Sequence, residues 1–223
     1  MQYLVSLFSI LLLVACQSPQ NATAETEDTP AEPVALSETE AAALDTATFA
    51  GGCFWCTEAV FERVKGVRSV VSGYTGGEEA DPTYQAVSAG QTSHAEGVQV
   101  YYEPSEITYE ALVKIFFGTH DPTQLNRQGP DVGEQYRSAV YYHDPQQQEV
   151  VENYVAQLEE SGKYDKPIVT EIEPFDTFYI AEPYHQDYYR LNPNDPYIVQ
   201  VAKPKVEKFR KNFADYAQEG LGL

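Results

Sequence analysis

The spacing of apolar positions changes several times along the chain, and each change predicts an element. Residues 47–51 read as a short strand, closed by the Gly51-Gly52 turn. Over 54–64, Cys56, Val60 and Val64 fall on one stripe and predict a helix. Residues 67–74 alternate weakly as a strand ahead of Tyr74-Thr75-Gly76-Gly77. Residues 94–102 alternate more clearly, with Glu96, Val98, Val100 and Tyr102 on one face. An apolar helix is predicted over 109–117, a strand over 138–142, and a helix over 146–160 that carries Val151, Tyr154, Val155 and Leu158 at helical spacing. A short strand over 168–172 follows, and Val206, Phe209, Phe213 and Tyr216 suggest a closing amphipathic helix. No internal repeat is present.

Strand, helix, strand, strand, helix, strand is the order of a ferredoxin-like α+β sandwich, a sheet with helices on one face. Long polar loops separate these elements. The longest, 119–137, is of a length that is more often functional than idle.

The amino terminus follows a different pattern. Residues 3–14 are almost wholly apolar, too few to span a membrane comfortably, and they end in Leu13-Val14-Ala15-Cys16. The tetrad resembles the lipobox of bacterial lipoproteins, although no Lys or Arg precedes the apolar run. The resemblance implies a signal peptide over 1–15, lipidation of Cys16, and a protein exported to the bacterial envelope, anchored by lipid and facing the periplasm. A plain secretion signal with a chance cysteine is the alternative. Residues 17–43 are rich in Ala, Glu, Thr and Pro, with six acidic residues and no basic one. Together with Cys16 they read as a disordered acidic linker over 16–43, because such a composition buries too little to offset ordering. A catalytic domain over 44–200 and a helical extension over 201–223 complete the division.

Charge narrows the partners. The formal charge is −20, from 34 acidic and 14 basic residues. Removing the linker's six carboxylates still leaves 28 acidic against 14 basic residues. Phosphate binding needs clustered Lys and Arg, so nucleic acid is excluded as a partner. The bland reading of the charge is a solvated surface. A monomer is the default expectation.

Three cysteines do not make a disulfide framework. Cys16 closes the apolar run; Cys53 and Cys56 share the motif Gly51-Gly52-Cys53-Phe54-Trp55-Cys56. Cys53 lies between two glycines and a helix start, where free N–H groups and the helix dipole favour a thiolate, so its pKa is expected to fall. Cys56, in the first helical turn, lies slightly too far for a disulfide unless the turn adjusts. Two inert buried thiols would be the alternative, but a Gly-Gly-Cys-x-x-Cys string is poor packing material. Zinc would want four ligands, and His94, His120, His143 and His185 are scattered. No metal or other cofactor is expected. Strand parity turns Glu96 toward the core, where desolvation would keep it protonated as a general acid requires; a strand-end Glu turned to water is the competing reading.

Six collinear strings then carry a resemblance: Gly52-Cys53-Phe54-Trp55, Ser72 through Gly77, Pro82-Thr83-Tyr84, His94-Ala95-Glu96, His120-Asp121-Pro122, and Asp131 through Ser138. Their order resembles that of A-type peptide-methionine (S)-S-oxide reductases, from about residue 46 to residue 196. The resemblance implies reduction of the S epimer of free and peptide-bound methionine sulfoxide. It matches Cys53 to the nucleophile, Glu96 to the acid, and Tyr84 and Tyr136 to hydrogen-bonding helpers. Phe54 and Trp55 match the wall that receives the substrate methyl group, and Asp131 a residue that orders the site. Attack leaves Cys53 as a sulfenic acid. No cysteine follows Cys56, so Cys56 is expected to resolve it, with a thioredoxin-like reductant regenerating the pair. The sole methionine is Met1, which suits work among oxidants.

Two other classes fit less well. A thioredoxin-type exchange protein also uses Cys-x-x-Cys at a helix start, but it gives Glu96 no purpose. A lipid-anchored binding module could use the 17 Tyr residues yet leaves the thiols unexplained.

Overall fold

The computed structural model describes residues 44–218. The expected signal peptide over 1–15, the expected linker over 16–43 with Cys16, and the last five residues lie outside them. Six strands form one sheet: β1 (Asp45–Gly51), β2 (Val67–Thr75), β3 (Ala95–Tyr102), β4 (Ser138–Tyr142), β5 (Glu171–Pro174) and β6 (Phe178–Ile180), in the order β5-β4-β1-β3-β2-β6. All neighbours are antiparallel except β4 and β5. The fold is a mixed α+β sandwich. The helices are α1 (Phe54–Phe61), α2 (Tyr84–Ser88), α3 (Tyr109–Thr119), α4 (Pro145–Glu160), α5 (Tyr188–Leu191) and α6 (Lys203–Asn212).

Local chemistry explains where the helices begin. Thr108 caps α3 by accepting from the Ala111 N–H at 3.3 Å. Asp144 caps α4 by accepting from Gln146 and Gln147, with Pro145 in the first turn. α1 stops at Phe61, three residues before the sequence pattern ends. There the bonds shorten to Arg63 N–H on Val60 and Val64 N–H on Phe61, and Gly66 turns away at φ 82°. Val64 remains buried nonetheless.

The main core lies between one sheet face and the helices. Phe49 of β1 stacks on Phe61 of α1 at 5.2 Å and on Phe116 of α3 at 4.9 Å. Val98 and Val100 of β3, Val151 of α4, and Val206 and Phe209 of α6 join the same cluster. The opposite face holds small residues, Ala50, Ala95 and Ala139, around Tyr141.

Register brings the chemistry to one end of the sheet. Phe49 pairs with Val98, so the end of β1 lies beside Glu96 at the start of β3. Gly51 pairs with Ser138, which brings the segment before β4 alongside. The long loop 119–137 folds over this end as a two-residue hairpin, Arg127–Gln128 against Asp131–Val132. The strand expected over 168–172 lies at Glu171–Pro174 instead. The preceding Val169 N–H is engaged by the Pro122 carbonyl.

Candidate active site

Cys53 occupies the turn between β1 and α1 and is buried. Gly52 before it takes φ 93°, and a Cβ there would stand 2.5 Å from Gln128 Cβ, so only glycine fits. The Phe54 N–H donates to Glu96 Oε2 at 3.1 Å, and the Cys56 N–H donates to the Cys53 carbonyl at 3.1 Å. Nucleophile candidate and carboxyl are thus tied through one residue.

Glu96 is 2% exposed, on the face of Val98 and Val100 that parity predicts. Burial pushes its pKa up to about 8; the Phe54 N–H opposes this, and the charges of Asp131 and Cys56 add to it. Near neutrality it is a protonated acid. Tyr84 and Tyr136 face the same group. Burial is the main cause that raises both, with the charges of Glu96 and Cys53 adding, and Tyr84 reaches about 12. Both are therefore phenols able to donate.

The thiols depart from expectation. The Cys53 pKa rises, chiefly by burial, with its hydrogen bond to Cys56 and the charges of Cys56 and Glu96 adding. Cys56 is the depressed one, at about 7, held there first by the hydrogen bond from Cys53 and helped by Lys205 and Tyr197 against its own burial. The physical reason lies in the helix start: Glu96, not the thiol, takes the Phe54 N–H, and Cys53 is buried. Of the two thiols, Cys56 is the one whose ionisation is favoured.

Phe54 is fully buried and Trp55 partly buried at the rim of the site. Trp55 stacks on Tyr188 at 3.8 Å and 8°, and its indole N–H donates to His185 Nδ1 at 3.2 Å. The His185 ring also meets Phe54 at 5.1 Å and Tyr84 at 4.2 Å. Glu182 braces this wall by accepting from the Tyr74 hydroxyl at 2.8 Å and the Tyr84 N–H at 2.9 Å.

Asp131 is engaged by Tyr197. The Tyr197 hydroxyl donates to Asp131 Oδ2 at 2.6 Å and lies 4.0 Å from Cys56 Sγ. Tyr197 directly precedes a π-helical turn, Ile198–Ala202, an irregularity often found at functional sites. Tyr197, Tyr188 and Glu182 were not legible in the sequence because they lie where no period rules, and His185 stood out only as a scattered histidine. The aromatic density of Tyr184-His185-Gln186-Asp187-Tyr188-Tyr189 was the one available signal. Among the described residues, no group of three His, Cys, Asp or Glu side chains is placed to hold a metal ion.

Comparison with known proteins bears on the same residues. A family model described as peptide methionine sulfoxide reductase matches residues 45–217. A peptide methionine sulfoxide reductase of Natronomonas pharaonis is 57% identical over 170 residues, covering 76% of this chain and 96% of that one. One from Rhodopirellula baltica is 56% identical, covering 77% and 88%. Among solved structures, Mxr1 of Saccharomyces cerevisiae in reduced form has a TM-score of 0.63 at 38% identity, covering 69% of this chain and 88% of that one. Methionine sulfoxide reductase A of Corynebacterium diphtheriae has 0.62 at 39%, covering 68% and 76%. With the match spanning nearly all of the described residues, this chain belongs to the peptide methionine sulfoxide reductase family.

Proposed function

We propose that the chain reduces the S epimer of free and peptide-bound methionine sulfoxide, with Cys53 as nucleophile and Glu96 as general acid. The observation that carries this is a buried, protonated carboxyl held to the N–H of the residue after a buried thiol. A sulfoxide sulfur is a poor electrophile until its oxygen is protonated, and Glu96 supplies that proton. Tyr84 and Tyr136 add hydroxyls at the same oxygen. Phe54 and Trp55 receive the methyl group, and Asp131 with Tyr197 fixes the Cys56 side. As Cys53 attacks, its proton passes to Cys56 and Glu96 protonates the sulfoxide oxygen; that hydroxyl moves from the substrate sulfur to the Cys53 sulfur, so the substrate S–O bond breaks, methionine leaves, and Cys53 becomes a sulfenic acid.

Cys56 then displaces the sulfenic hydroxyl, giving a Cys53–Cys56 disulfide and water. The tight turn that joins them, with the Cys56 N–H on the Cys53 carbonyl at 3.1 Å, supports this resolution. A thioredoxin-like dithiol would reduce the disulfide, so no metal or organic cofactor is needed. Addition of one equivalent of substrate to the reduced chain tests the scheme. It predicts loss of two hydrogens and a peptide pair linked at Cys53 and Cys56. A stable sulfenic acid, with both thiol sites unlinked, would refute Cys56 as the resolving group.

The reading extends beyond the site. Leu13 through Cys16 supports a cleaved leader over 1–15 and a lipid anchor on Cys16. The acidic composition supports a linker over 16–43 that holds an exported enzyme in the bacterial envelope, facing the periplasm. Domain 44–200 carries the catalysis as a monomer. Segment 201–223 reads as a helical extension, and within its described residues Val206 and Phe209 pack into the common core. The central strand order β4-β1-β3-β2, with helix crossovers, supports a ferredoxin-like sandwich.

A further inference from the structure

A cleft of about 730 Å³ opens where the end of α3, the segment after α4, and α6 meet, and it shares no residue with the site around Cys53. Small-molecule sites occupy roughly 300–1,000 Å³. Gly162 turns the chain at φ 64° after α4 and delivers Lys163 and Lys166 to the cleft, while α6 supplies Lys208. Tyr164 and Phe213 add aromatic surface, and Asn212 adds an amide. In a chain with 34 acidic and 14 basic residues, three lysines around one concavity run against the composition.

Most other polar groups of the lining are already engaged. His120 bonds the Phe116 carbonyl through Nδ1 at 2.7 Å and Ser138 Oγ through Nε2 at 2.8 Å. Asp121 accepts from the N–H and hydroxyl of Thr123 through Oδ1, and from the Gln124 amide through Oδ2. The Tyr164 hydroxyl donates to the Phe117 carbonyl at 3.2 Å. The lysines differ: among the described residues none of the three forms an ion pair. Lys163 Nζ stands 5.2 Å above the Tyr164 ring. Burial and then the charge of Lys163 depress the Lys208 ammonium, with Asp121 opposing. Asp165, exposed, is the one carboxylate of the lining outside the His120–Asp121 network. The cleft therefore offers three cations against one free carboxylate.

The donor set selects the anion. An ammonium is a compact point charge that suits phosphate, whereas planar carboxylates favour the fork of Arg, and no Arg lines the cleft. The volume leaves room beyond a phosphate group, and the aromatic surface suits an apolar organic part. A concavity accepts a soluble ester, where a membrane surface would need a flat or protruding face. We propose that this cleft binds a small phosphate monoester, its phosphate among Lys163, Lys166 and Lys208 and its organic part against Tyr164 and Phe213. Such a site goes beyond sulfoxide reduction and does not depend on it.

Phenyl phosphate serves as the probe, titrated by calorimetry into the full-length chain at low salt. Saturable binding is expected, weakening as salt is raised, with inorganic phosphate bound less tightly. Lysine acetylation followed by peptide mass locates the contact. Phenyl phosphate should protect Lys163, Lys166 and Lys208 and leave Lys211 reactive, since Lys211 is exposed on the same helix but outside the cleft. Lys208→Met should weaken binding about tenfold, and the double variant Lys163→Met, Lys208→Met should abolish it. Lys211→Met, which removes the same charge, should match the wild type. Melting curves check that each variant is folded. No saturable binding up to about 10 mM would overturn the proposal, as would unchanged binding in the folded double variant. Equal protection of Lys211, or inorganic phosphate bound as tightly as phenyl phosphate, would also overturn it.

Discussion

At Glu96 two requirements conflict, since a general acid must be neutral and a stable fold avoids buried carboxyls. Its carboxyl is raised to about 8 from an ordinary 4.5, so folding takes up a proton between those values. Its contribution is therefore most favourable below 4.5 and declines as pH climbs toward 8. Glu96→Gln removes that dependence. Melting curves should show no gain for the variant at pH near 4 and a gain of several degrees near 8. Turnover should respond in the opposite sense. The wild-type rate should fall above about 8 as Glu96 loses its proton, and Glu96→Gln should be slower by about 10²-fold with that limb gone. A limb that survives the substitution would assign the acid elsewhere. At the same scale the thiol pair shows what a sequence hides. A helix start suggests a low pKa for Cys53, but which atom receives the first free N–H depends on β3, 42 residues away.

Among the elements, those the sequence made legible are the ones whose period survives burial on one side. β3 alternates because one face meets the helices, and α4 keeps its stripe because one side is wet. α1 is harder to delimit. Six of its eight residues are buried, so it shows no clear polar face and its end is set by turn geometry. The two-residue hairpin, α2, α5 and the π-helical turn are too short to carry a period, and tertiary contacts define them. Cys53, Cys56 and Glu96 were legible because reactive residue types stand out. Tyr197 was not, because in a chain with 17 Tyr an individual one carries little information, and His185 stood out only as one of four scattered histidines. Phe49 is the packing hub among β1, α1 and α3, with 0% exposure. Denaturant unfolding of Phe49→Ala should show a loss of about 3–5 kcal/mol, the cost of a cavity at a fully buried ring. A loss below about 1 kcal/mol would mean that the three elements do not depend on this contact.

Across the whole molecule, an acidic surface surrounds a site whose charges are few and buried. With 34 acidic residues against 14 basic ones, surface ion pairs add little, and the site's electrostatics come from desolvation within it. The leader and linker make a separate claim about location, and Cys16→Ser tests it. The substitution should move the protein from the membrane fraction to the soluble one and leave sulfoxide reduction by the catalytic domain intact; retention at the membrane would argue against a lipid anchor. The central claim concerns chemistry, and one measurement reaches it most directly. The two epimers of a dabsylated methionine sulfoxide are offered to the chain with dithiothreitol, beside Cys53→Ser. The account predicts turnover of the S epimer alone, abolished in the variant. Turnover of the R epimer, or activity that survives in Cys53→Ser, would contradict it.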